Sequence, residues 1–130
     1  MGVQARVVTF SAAHDAGLDR CDAAFASIAR LEAAMSDYRP ASDLSRLSAQ
    51  WLEVDHEFAA LLRSSTEFSK ATRGAFDVTV GPASRLWRRM RAENRLPTDD
   101  EFGSARTLID WRAVEVRGTS VRLARPGMSL

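Results

Sequence analysis

The sequence predicts an α+β domain in which amphipathic helices pack on a small mixed or antiparallel sheet. Two observations call for helices: apolar residues at steps of three and four between Ala13 and Met35, and again from Phe58 to Thr72. A third calls for strands: two short β-branched runs near the C-terminus, separated by a glycine-containing turn. No internal repeat, low-complexity tract or linker divides the 130 residues, so a single unit is expected.

Val3 to Phe10 alternates loosely, with Val3, Ala5, Val7 and Thr9 set against Gln4, Arg6 and Val8, and reads as a strand. Leu18, Cys21, Phe25, Ile28, Leu31 and Met35 then form one stripe of a long helix. Asp15, Asp19 and Asp22 lie in its N-terminal half, where the helix dipole favours negative charge. Ser36 to Ser48 is polar and interrupted by Pro40, with a short helix capped by Ser42. Trp51 to Val54 fits a short strand. Asp55 offers an N-cap for the second long helix, whose stripe is Phe58, Leu61, Leu62, Ser65, Phe68 and Thr72. Gly74 falls just past its end, as a stop signal should.

Leu86, Trp87 and Met90 mark the buried face of a third helix, with Pro82 in its first turn. Thr98 and Glu101 match a capping box that opens a fourth. Val114–Val116 and Val121–Leu123, joined by Arg117-Gly118-Thr119-Ser120, read as a hairpin.

Composition excludes several functions. Lysine and arginine total 18 against 17 acidic residues, a net charge of +1, so no global field draws in nucleic acid or anionic lipid. The five arginines between Arg85 and Arg95, with Trp87, offer a basic helix as an alternative binding module for nucleic acid. A solvated helix face is the favoured reading, and no nucleic-acid partner is expected. No apolar run approaches the ~20 residues of a membrane-spanning helix. The N-terminus also lacks a signal-peptide pattern, so a cytoplasmic location is expected for the chain as written. Cys21 stands alone on an apolar stripe and reads as a buried thiol. His14 and His56 have no second ligand at metal-binding spacing and read as helix starts.

Chemistry concentrates in Gly74-Ala75-Phe76-Asp77-Val78-Thr79-Val80-Gly81-Pro82. Gly74 frees the backbone to leave a helix. Phe76 supplies an apolar anchor beside the Asp77 carboxylate, and Thr79 a hydroxyl. Gly81-Pro82 then starts a helix whose first amides are free to meet an anion. Such a turn suits a polar heterocycle or a ribityl chain; the alternative is an ordinary helix–loop–helix connection.

Other segments narrow the choice. Met1-Gly2 precedes the first strand-like run, and the first long helix leads into Met35-Ser36-Asp37-Tyr38. Ser42-Asp43-Leu44-Ser45 follows, and Leu86-Trp87 comes soon after Gly81-Pro82. This ordered set resembles the FAD:protein FMN transferases, the ApbE family, across essentially the whole chain. The resemblance implies that Met1, Tyr38, Ala75, Phe76 and Asp77 contact FAD. It also implies that Mg²⁺ assists transfer of the FMN half to a threonine of a target protein.

The chain departs from the family pattern in places. Val3 replaces the usual threonine after Met1-Gly2, and Ser48 stands where many relatives carry asparagine. The family's Gly-Gly-Ile-Ala-Lys-Gly segment would follow Arg125-Pro126-Gly127-Met128-Ser129-Leu130, with the Mg²⁺ ligands later still. The 130 residues are therefore expected to be the N-terminal portion of a single flavin transferase domain. Such a portion would hold part of the FAD pocket and be inactive by itself. A non-catalytic flavin- or partner-binding half-domain is the alternative. Apolar surface left unpaired in such a half-domain predicts self-association.

Overall fold

The computed structural model describes residues 4–130 and is built around one small sheet. In chain order the elements are α1 (His14–Met35), α2 (Asp43–Arg46), β1 (Leu52–Glu53), α3 (His56–Ala71), α4 (Gly81–Ala92) and α5 (Asp99–Thr107). A 3₁₀ turn (Trp111–Ala113) then leads into β2 (Val114–Arg117) and β3 (Ser120–Leu123). The strands lie in the order β1-β3-β2, antiparallel throughout.

Local signals set the helix ends. The Ser42 hydroxyl accepts from the Ser45 amide at the start of α2, and the Asp55 carboxylate accepts from the Glu57 amide at the start of α3. Thr98 and Glu101 complete a capping box at α5, satisfying two amides that the helix itself cannot. Arg73 and Gly74 carry the chain out of α3 at φ 54° and 84°, the left-handed region where glycine has no steric penalty. The β2–β3 register places Glu115 opposite Arg122, and both Glu115 oxygens accept from Arg122 Nη2 at 3.0 Å.

The main core forms where α3 lies against the sheet. Phe58, Ala59 and Leu62 meet Val121 and Leu123, with Leu47, Val54, Ala113 and Met128 around them. Each large apolar side chain buried here contributes about 1.5–3 kcal/mol. A smaller cluster of Leu86, Met90 and Ala105 joins α4 to α5.

Five expectations need correction. Residues 4–10 form no strand, and Val3 lies outside the described residues. A strand needs a hydrogen-bonded neighbour and a covered face. Here all three described strands pair among themselves, and Val8 and Phe10 are exposed. Trp87 is 62% exposed instead of buried, because Leu86 and Met90, one turn apart, aim at α5 and Trp87 points about 100° away. The α1 stripe is only partly covered: no residue of α1 is fully buried, Leu18 and Phe25 are exposed, and Ile28, Leu31 and Met35 are half-buried. Only its C-terminal end, through Met35, packs on the main core. Leu61 and Phe68 on α3 are also exposed, and Cys21 is half-buried, its Sγ 3.8 Å from Thr9 Oγ1. No described helix is long and apolar enough to cross a membrane.

Candidate functional site

The turn between α3 and α4 is held by side chains that the motif itself supplies. Asp77 Oδ1 accepts from the Thr79 amide at 2.8 Å and from Thr79 Oγ1 at 2.6 Å. Asp77 Oδ2 accepts from the Trp111 amide at 3.0 Å, and Thr79 Oγ1 accepts from the Asp110 amide at 2.8 Å. Thr79 is wholly buried. These bonds fasten residues 77–79 to the 3₁₀ turn before β2, so a local Asp-x-Thr pattern is tied to the sheet.

The neighbours of Asp77 follow from this attachment. Phe76 meets Phe68 edge-on with ring centroids 5.3 Å apart, and its amide donates to Thr72 Oγ1. Ala75 is exposed beside it. Asp77 lines a shallow polar hollow with Gly74, Asp110 and Trp111, where Arg125 pairs with Asp110 at 3.2 Å. Arg112 stacks over the Trp111 ring, 4.6 Å from its centre. Gly81 is buried for a steric reason: Ser129 and Leu130 run directly over it, leaving no room for a side chain.

Tyr38 sits elsewhere on the surface, and the two serine motifs explain its placement. The Ser36 carbonyl accepts from Ser42 Oγ at 2.5 Å and from Ser45 Oγ at 3.1 Å, and Ser36 Oγ accepts from the Tyr38 amide. The pair Ser42 and Ser45 thus fixes the chain where it leaves α1. Tyr38 is 78% exposed, with the Arg88 guanidinium 5.7 Å from its ring centre. Arg88 also donates to Asp37 at 2.7 Å, and Asp37 holds that guanidinium above its usual pKa, with Tyr38 adding to the effect. Tyr38 lines an apolar hollow of about 310 Å³ with Leu31 and Met35. An aromatic face at the mouth of an apolar recess is a surface on which a planar ring can stack.

The structure therefore keeps Ala75, Phe76 and Asp77 together and sets Tyr38 in a separate hollow. Met1 lies outside the described residues. Two connections escaped sequence reading: Asp77 and Thr79 to Asp110 and Trp111, and Arg88 to Asp37 and Tyr38. Asp-x-Thr is a local turn signal, but its backbone partners lie more than 30 residues away. Of the five arginines between Arg85 and Arg95, Arg88 and Arg89 on α4 and Arg95 just past its end are engaged by Asp37, Glu101 and Glu93. Among the described residues, no group of three His, Cys, Asp or Glu side chains is placed to hold a metal ion.

This architecture is shared with solved flavin transferases. It superposes on the ApbE protein of Thermotoga maritima with a TM-score of 0.80 at 24% identity, covering 95% of this chain and 41% of that one. The flavinyl transferase ApbE of Pseudomonas stutzeri gives 0.75 at 23% identity, over 85% of this chain and 37% of that one. A model of the ApbE family matches residues 1–130, and the chain belongs to that family. Among curated relatives, the FAD:protein FMN transferase of Haemophilus influenzae is 39% identical over 62 residues, 44% of this chain and 18% of the relative. That of Treponema pallidum is 32% identical over 117 residues, 82% of this chain and 32% of the relative. The chain thus spans about a third or less of the curated relatives it matches.

Proposed function

We propose that this chain supplies one wall of the FAD site of an FAD:protein FMN transferase. The observation that carries the reading is the match of the family over residues 1–130, with the motif segments in order along one α+β fold. Tyr38 offers an exposed ring beside an apolar recess, suited to stacking on a flavin or adenine plane. Ala75, Phe76 and Asp77 form the turn that meets the polar part of the ligand. The relatives' names describe transfer of FMN from FAD to a protein, and the acceptor here is a threonine hydroxyl of a partner.

The described residues do not fit Mg²⁺, since no cluster of ligating side chains is formed among them. No step through the metal is assigned to this chain. The relatives extend well beyond the segment matched, and the wall described here binds flavin without performing the transfer.

A transfer assay tests this reading. The chain is incubated with FAD, Mg²⁺ and a protein carrying an acceptor threonine, then desalted and examined by in-gel flavin fluorescence. The expected result is FAD retained by the chain and an unlabelled acceptor. Labelling by the chain alone would overturn the partial-pocket reading. Absence of both retention and labelling would overturn flavin binding itself.

A further inference from the structure

We infer that Asp77 and Thr79 are positioning residues that act as an internal clasp, so that Asp77 shapes the flavin-facing turn without its carboxylate touching the ligand. This deepens the flavin reading above and rests on it. Both Asp77 oxygens are already committed, to the amide and hydroxyl of Thr79 and to the amide of Trp111. Thr79 has no exposed surface, and its hydroxyl donates to Asp77 while accepting from Asp110. Oδ1 carries two short bonds and Oδ2 one, so about three of the carboxylate's four acceptor positions are taken in a partly buried setting. Recruiting the carboxylate would strand the donors it now serves.

The groups left for a ligand are on the backbone. The Ala75 and Phe76 amides are spent on Thr72. The amides of Asp77 and Val78 and the carbonyls of Ala75 and Phe76 have no partner among the described residues, whereas the Asp77 carbonyl closes the turn over residues 78 and 79. These acceptors and donors follow one another along a turn that is exposed at Ala75 and Phe76 and half-buried at Asp77 and Val78, and together they suit a planar ring edge that carries both carbonyl oxygens and a ring N–H. The clasp holds that backbone in one conformation. Loss of the clasp therefore weakens binding by releasing the turn, although no ligand contact is removed.

The test uses the whole chain, with hydrogen exchange and FAD titration read on the same samples. In the wild-type protein the Asp110 and Trp111 amides are expected to be protected. Thr79→Val removes both roles of the hydroxyl. It is expected to expose those amides to exchange and to weaken FAD binding about ten-fold or more. Thr79→Ser keeps the hydroxyl and is expected to restore both. Asp77→Asn is the comparison that separates positioning from contact. If Thr79→Val binds FAD within about two-fold of wild type while Asp77→Asn does not, the carboxylate touches flavin and the inference is wrong. Unprotected Asp110 and Trp111 amides in the wild-type chain overturn the clasp even if Thr79→Val fails to fold. A wild-type chain that binds no FAD removes the flavin-positioning role together with the functional reading. The exchange data then show separately whether the clasp exists.

Discussion

Glycine-to-alanine substitution should have opposite effects at two helical positions, and the structure gives the sign of each. Gly81 opens α4 beneath the C-terminal residues. An added Cβ would overlap Ser129 Oγ and the Leu130 carbonyl, and would lie 2.8 Å from the Ser129 carbonyl oxygen. Backbone oxygens cannot rotate away, so the segment must shift at a cost of about 1–3 kcal/mol. Alanine's helical advantage returns about 0.5–1 kcal/mol, leaving Gly81→Ala less stable by up to about 2.5 kcal/mol, and by roughly 1 kcal/mol at the middle of both ranges. Gly103, in the middle of α5, has nothing within 4 Å of its added Cβ. Gly103→Ala should therefore gain about 0.5–1 kcal/mol from propensity alone. For a domain of this size the two changes correspond to a fall in Tm of about 4 °C, at that middle value, and a rise of about 2–4 °C. Urea and thermal unfolding of both variants decide the matter. If Gly81→Ala proves as stable as Gly103→Ala, the packing of Ser129 and Leu130 over α4 is refuted.

Two further substitutions probe other parts of the fold. Arg95 and the Thr98 amide hold the Glu101 carboxyl down to about 2 from its ordinary 4.5. Because the folded-state value is depressed, the stability it brings is present above about pH 4.5 and is lost as pH falls toward 2. Glu101→Gln should thus melt below wild type at pH 7, with the gap closing in acid; a gap unchanged across that window would contradict the assignment. Leu62 is 1% exposed in the main core, and Leu62→Ala should lose about 2–5 kcal/mol in urea unfolding. A loss below ~1 kcal/mol would mean that α3 does not pack on β3 as described.

What the sequence made legible was local. The caps at Ser42, Asp55 and Thr98 and the stop at Gly74 depend on residues within a few positions, and all form as expected. The hairpin was readable because a short turn brings its β-branched runs side by side. Periodicity located α1, but it cannot say whether an apolar stripe finds a partner, and that of α1 does so only in part. The run from Gln4 to Phe10 fails as a strand for the same reason, since alternation does not provide a neighbour. The candidate site divides along the same line. Its motif residues were visible as a contiguous run, whereas the Asp77–Trp111 and Arg88–Asp37 bonds join positions 34 and 51 apart, where no pattern in the sequence links them.

FAD titration of the wild-type chain and of Tyr38→Ala, followed by flavin fluorescence, tests the central claim most directly. Tyr38 is 78% exposed, so its truncation should change stability by no more than about 0.5 kcal/mol. The flavin-wall account predicts saturable binding by the wild-type chain and clearly weaker binding by the variant, at equal Tm. Equal affinity in the two proteins would remove Tyr38 from the wall, and no saturable binding by either would contradict the account as a whole.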